Sequence, residues 1–275
     1  MGTNEKIWIA CGVVAFLLFL GLAAGLYWLC KVAARQPVDA ALEEVKITGL
    51  VPGVEGVLFS SDELLGPAGA TEPTWDSDVV ILDTSLSVLS SEAYPFVGEQ
   101  GPLYRALGVA GREIKQSVKQ KIASQGVSVG AESFTSSGMN CVLVHVCPSG
   151  LHDHDVTADP GTAVRNALMG AAQALFSEEI VRCIEDMRRD WTPAGREIIV
   201  LVHLPFSGVH SAVMSREEQA RYFAKCMIGI PVVDVCKQLG VKVKVCCGGK
   251  ELQAVCAEAA YEAMAELQGE EAQTR

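Results

Sequence analysis

The sequence predicts an α/β domain whose largely parallel sheet is covered on both faces, preceded by one transmembrane helix. Three observations lead there. Short β-branched apolar runs alternate along the chain with longer segments of helical periodicity, which is how a parallel sheet buried by its crossover helices reads in sequence. Ile7–Cys30 contains no charged residue. From Ile47 to Leu267 the composition is even, without low-complexity runs or an internal repeat, and about 220 residues can bury one substantial core.

The apolar segment comes first. At ~1.5 Å per residue, Ile7–Cys30 makes a helix of about 36 Å, enough to cross a bilayer with some tilt. Lys6 and Lys31 flank it, and Trp8 and Tyr27-Trp28 sit near its ends, where interfacial aromatics belong. The rival is a cleaved signal with Val32-Ala33-Ala34 at the cleavage site, but the apolar core is long for one and its basic region is Lys6 alone. Residues 1–6 form a tail and residues 31–46 a juxtamembrane linker, helical over Ala40–Lys46. Lys31, Arg35 and Lys46 follow the span, a bias that puts the carboxy-terminal domain in the cytosol.

Within the domain, strands are expected at Val57–Ser60, Val79–Leu82, Cys141–Cys147, Ile198–Leu204 and Val241–Cys246. Helices are expected at Pro102–Ser124, Thr162–Arg189, Glu217–Leu239 and Lys250–Leu267. Residues 268–275 read as a polar, frayed tail.

Cysteines and charge exclude some functions. Most of the ten cysteines lie beyond the span at apolar positions, and no Asn-X-Ser/Thr sequon occurs. Reduced, buried thiols fit this better than a disulfide framework. The net charge of −11 disfavours nonspecific nucleic-acid binding, which works by neutralising phosphates with Lys and Arg. Arg112, Lys115, Lys119 and Lys121 read as a solvated helix face.

Two strand–loop–helix units mark a ligand cleft. In Asp78–Gly111 a buried strand runs into a loop with Gly98 and Gly101, and a helix opens at Pro102. In the second, Ile198–Leu204 is followed by the loop Pro205–Ser211 and a helix from Glu217. Loops of this kind aim backbone N–H groups at an anion, and two of them can face each other at the carboxyl ends of neighbouring strands.

Taken in order, these pieces resemble the macro domain, the ADP-ribose-binding module, from about Ile47 to Leu267. Ser61-Asp62-Glu63-Leu64 is similar to the family's Gly-Asp-Ile-Thr segment, and Asp78–Ser85 to the strand ending in Asn-Ala-Ala-Asn. Gly98–Leu103 falls where Gly-Val-Ala-Gly-Ala-Ile opens a helix. Gly130–Thr135 and Cys141–Pro148 resemble the Gly-X-Ala…Thr segment and the strand ending in His-X-Val-Gly-Pro. Phe206–Ser211 resembles the Ser-Thr-Gly-Ile/Val-Tyr/Phe-Gly loop. The resemblance implies a three-layer α/β/α macro-like domain with a mixed, largely parallel central sheet, binding ADP-ribose or a mono-ADP-ribosylated protein and needing no cofactor or metal. It implies Asp62, Ser85, Gly98, Gly101, Ser207, Gly208, Val209 and His210 as binding residues, with Asp62 against the adenine amino group and His210 against the distal ribose.

The chain also departs from that pattern. Leu82 and Ser85 stand where the two asparagines would be, and Glu99 lies between the two remaining loop glycines. A carboxylate facing a diphosphate costs binding energy unless it turns to solvent. Three readings stay open: a membrane-anchored binder, a mono-ADP-ribosyl hydrolase, and a ligand-free interaction module. Elsewhere, His152-Asp153-His154-Asp155 lacks the paired spacing of a zinc site. Cys246-Cys247-Gly248-Gly249 reads as a glycine turn with buried thiols, and His145 with Cys147 as strand neighbours lacking a third, orienting group.

Overall fold

The computed structural model describes residues 39–83, 101–108, 129–136, 138–146, 159–175, 177–204, 213–229 and 232–273. Two units are distinguished, Met1–Glu44 and Val45–Arg275. Of the first, residues 39–44 are described and are helical. The second holds the sheet. The expected span Ile7–Cys30 lies outside the described residues; among these, no helix is long and apolar enough to cross a membrane.

Among the described residues six strands form one sheet: β1 (Val57–Ser60), β2 (Asp78–Asp83), β3 (Val129–Ser136), β4 (Met139–Val146), β5 (Ile198–His203) and β6 (Lys242–Cys246). Their order is β1-β6-β5-β2-β4-β3. Every neighbouring pair is parallel except β3 and β4, so the sheet is mixed and mostly parallel. β2 lies at its centre, and all six of its residues are buried. Its side chains alternate between two cores, as a pleated strand requires. Val80 and Leu82 join one core with Val142, Val144, Val200, Val202, Val243 and Val245. Val79 and Ile81 join the other, with Cys141, Leu143 and Leu201. Covering both faces is why the strand reads as an uninterrupted apolar run.

Most helices cover the first face: α2 (Pro160–Ala174), α3 (Glu178–Asp186), α4 (Arg216–Gly229), α5 (Val232–Leu239) and α6 (Lys250–Gln273). The second is covered by α1 (Gly101–Ala106) through Leu103 and Tyr104, and by Leu64 and Leu65 of the segment after β1. That segment is a tight turn. Glu63 and Gly66 exchange backbone hydrogen bonds of 2.8 and 3.1 Å, and Gly66 has φ +135, where a Cβ would lie 2.0 Å from Thr74 Oγ1. Trp75 then returns to donate its indole N–H to Leu64 O at 2.8 Å.

Several elements differ from the sequence expectation. The expected helix Thr162–Arg189 is two helices, because Ser177 caps a new start with its Oγ on the Ile180 N–H, and a π-helical turn at Met187–Trp191 ends the second. Of the expected helix Glu217–Leu239, Arg216–Gly229 and Val232–Leu239 are described and helical; residues 230 and 231 between them lie outside the described residues. The expected helix from Pro102 to Ser124 stops at Ala106 and turns at Gly108, whose φ of +66 is a helix-ending conformation; residues 109–128, with the basic face, lie outside the described residues. α6 runs to Gln273 rather than fraying from residue 268, since Gln268–Gln273 is polar but holds no proline to break it. β3 was not expected as a strand. Its polar sequence VGAESFTS suits an edge position with one neighbour.

Candidate functional site at the carboxyl edge of the sheet

The five parallel strands end on one edge, at Ser60, Cys246, His203, Asp83 and Val146. The strand order reverses at β2, which has β5 on one side and β4 on the other. In open α/β sheets, ligands lie outside the carboxyl ends at such a switch point.

Of the binding residues expected from sequence, Asp62 and Gly101 are described. Asp62 follows β1 by two residues and is held on all sides. Its backbone N–H donates to Ser60 Oγ at 3.2 Å, and its carbonyl accepts from the Gly248 N–H at 3.0 Å. Its Oδ2 accepts from Lys244 Nζ on β6 at 2.6 Å, a pair about one-third exposed on either side. Burial pushes the Asp62 carboxyl up, but the Lys244 ammonium and the Ser60 hydroxyl together outweigh it and hold the pKa below the ordinary 3.8. Gly101 is buried and opens α1. Ser85, Gly98, Ser207, Gly208, Val209 and His210 lie outside the described residues, as do Glu99 and His152–Asp155.

At the switch point the structure assembles a polar cluster that sequence reasoning did not put together. Asp83 ends β2, and its register partner on β4 is His145. His145 Nδ1 lies 3.0 Å from Asp83 Oδ2. The Tyr104 hydroxyl, brought by α1, donates to the same oxygen and lies 3.4 Å from His145 Nδ1. The Tyr104 and His145 rings are parallel to within 2°, with centroids 6.1 Å apart. All three residues are buried: 2% exposed for Asp83, 1% for His145 and 0% for Tyr104. His203 ends β5 next to Val202, the register partner of Leu82, and its Nδ1 is 2.9 Å from Leu204 O. Burial pushes the His203 pKa down, opposed by that carbonyl and by the Asp83 charge.

Chemically, Asp83 is the orienting group for His145 that the sequence did not reveal. It comes from another strand sixty-two positions away in the chain, so only strand register brings the two together. His145 Nε2 is one of two buried side-chain polar atoms with no hydrogen-bond partner among the described residues, the other being Gln219 Oε1. The cysteines at this edge are quiet. Burial raises Cys246 to about 12, and Cys247 is raised by a thiol hydrogen bond with Cys256 and then by burial. A nucleophilic thiol needs a lowered pKa. Among the described residues no group of three His, Cys, Asp or Glu side chains is arranged to hold a metal.

No family model and no curated protein matches this chain. Solved structures do align with it at low identity. A macrodomain of Oceanobacillus iheyensis with MES bound is 12% identical, covering 80% of this chain and 97% of its own, with a TM-score of 0.43. An asparagine-to-alanine mutant of an Oceanobacillus iheyensis macrodomain is 11% identical over 76% of this chain and 88% of its own, also at 0.43. An alphavirus P23pro-zbd structure is 11% identical over 78% of this chain at a TM-score of 0.38, and this chain spans only 24% of that one.

Proposed function

We propose that this chain is a membrane-anchored binder of ADP-ribose or of ADP-ribosylated protein. The observation that carries the reading is the switch point at β2 in a mixed, mostly parallel sheet. The segments that resemble the macro domain's binding loops follow directly on strand ends of that edge: Asp62 after β1, Ser85 after β2, and Ser207–His210 after β5. A diphosphate held by backbone N–H groups needs no basic pocket, which reconciles an anionic ligand with a net charge of −11. Ile7–Cys30 supplies the anchor, with the domain on the cytosolic side. Ser85 replaces an amide that would both donate and accept, so binding without hydrolysis is the reading taken.

The test is calorimetric titration of the full chain with ADP-ribose. Saturable binding is expected, and Asp62→Ala should weaken it by about 1.5–3 kcal/mol, the range for a hydrogen bond to a charged group. Carbonate extraction should leave the chain in the membrane pellet; a soluble product starting near Arg35 would establish a cleaved signal instead. One observation favours the ligand-free interaction module as a second reading: the Asp62 carboxylate is already engaged by Lys244 at 2.6 Å. Absence of saturable binding at millimolar ADP-ribose would decide for it.

A further inference from the structure

The polar cluster at the end of β2 constrains where its protons lie. An ionised carboxylate only accepts hydrogen bonds. The two groups bonded to Asp83 Oδ2, the Tyr104 hydroxyl and His145 Nδ1, therefore both bring hydrogens to it. A neutral imidazole with its hydrogen on Nδ1 has a bare Nε2, which accepts. The ring cannot turn freely to hide that atom, because Asp83 holds one edge and Tyr104 lies parallel beside it. Nε2 is buried and has no hydrogen-bond partner among the described residues. Moving the proton does not resolve this, since a hydrogen on Nε2 would become a buried donor without an acceptor. Native folds seldom leave such an atom unmet, and this one stands at the carboxyl ends of adjacent strands, where the sheet order reverses.

We propose that His145 is a hydroxyl-recognition residue. Its Nε2 accepts a hydrogen bond from a hydroxyl of a sugar-bearing ligand bound at the carboxyl edge, and Asp83 and Tyr104 act as positioning residues that fix its tautomer and orientation. The need for a hydrogen-bond donor, an O–H or an N–H, follows from the cluster itself: a phosphate oxygen, which only accepts, cannot satisfy a bare nitrogen. The choice of a ribose hydroxyl rests on the ADP-ribose reading above.

The test reads the nitrogen directly. In the full chain labelled with ¹⁵N-histidine, His145 should show a protonated Nδ1 and a bare Nε2, assigned by loss of its signals in His145→Phe. Adding ADP-ribose should move the Nε2 resonance toward its hydrogen-bonded position and saturate. His145→Phe, which keeps a ring beside Tyr104, should bind ADP-ribose roughly tenfold more weakly, as expected for one lost hydrogen bond. If that variant does not fold, His145 is assigned by through-bond correlation of its ring to its own backbone, and the resonance in the unmodified chain still decides. A protonated Nε2 in the free chain overturns the proposal. So does a resonance that stays still while calorimetry records ADP-ribose binding, and that result leaves the ligand reading intact. If ADP-ribose does not bind, D-ribose is titrated in its place. A shift with D-ribose keeps the hydroxyl site and sinks the ADP-ribose reading. An Nε2 that answers to neither, as one bonded permanently to an enclosed water would, overturns the proposal.

Discussion

Asp78 shows how one side chain can hold together distant parts of the chain. It starts β2 and is fully buried. Its carboxylate accepts from the Asn140 backbone and side chain at 2.9 and 3.2 Å, from Thr192 Oγ1 at 2.7 Å, and from Arg196 Nη1 at 3.2 Å. The amino ends of β2 and β4 are thus tied to the turn that precedes β5. Burial pushes the carboxyl up, but these donors outweigh it and keep the pKa below 3.8. Asp78→Ala removes the acceptor shared by the Asn140 backbone N–H, Thr192 Oγ1 and Arg196, although Asn140 Nδ2 and Arg196 Nη1 keep the Trp191 and Gly138 carbonyls, and should cost about 1–3 kcal/mol in urea unfolding. The sign with pH follows from the lowered value: the unfolded carboxyl binds protons first, so the contribution is complete above pH 3.8 and drains as pH falls through the folded value. The acid limb of the stability curve should therefore be shallower in Asp78→Asn than in the natural chain. None of this was legible in the sequence, where Asp78 is the polar residue before an apolar run. Nor was the pairing of Asp83 with His145, because parallel register between strands β2 and β4 is not written in either strand alone.

Elements were legible where one residue pattern decides them, and not where a local cap competes with a long periodic run. The strands at Val57–Ser60, Ile198–His203 and Lys242–Cys246 follow from β-branched apolar runs. The run from Thr162 to Arg189 keeps a helical apolar face on both sides of Ser177, so periodicity alone joins what Ser177 divides. That serine both precedes Glu178 and Glu179, which favour the positive end of a helix, and supplies the capping oxygen; these were the signals for a new start. Ser177→Ala should therefore lower stability by about 1 kcal/mol, measured by thermal or urea unfolding, with Ser177→Asp recovering most of it. An unchanged midpoint in the alanine variant would mean that packing of Ile180 and Ile184, not the cap, sets the start of α3. The strand Val129–Ser136 was hidden by its polarity. Its signal was Ser137-Gly138 between two strand-like runs: Ser136 pairs with Met139 across it, and Gly138 has φ +76, as tight hairpins require.

For the molecule as a whole, the charge balance makes a prediction that separates the proposed ligand chemistry from an ordinary basic anion site. Lys and Arg total 22 against 33 Asp and Glu, so an approaching diphosphate meets a field of its own sign. The described cations are mostly committed: Arg221 reaches Glu217, Glu258 and Glu262, Lys225 reaches Glu262 and Glu266, and Lys237, Lys242 and Lys244 pair with Glu55, Glu197 and Asp62. Backbone N–H groups at loop and helix starts hold an anion at short range, where salt screens little, whereas the net charge repels it from a distance. The Debye length is about 30 Å at 0.01 M salt and about 10 Å at 0.1 M, so salt in this range removes repulsion and leaves the short contacts. ADP-ribose should then bind as tightly or more tightly at 0.1 M than at 0.01 M, with a faster association rate. A site built on basic side chains does the reverse, losing affinity steeply as salt rises. Titration and stopped-flow mixing at the two salt concentrations read both quantities. A marked fall in affinity would point to Lys244 released from Asp62 as the phosphate partner, and Lys244→Met should then abolish the salt dependence along with most of the binding.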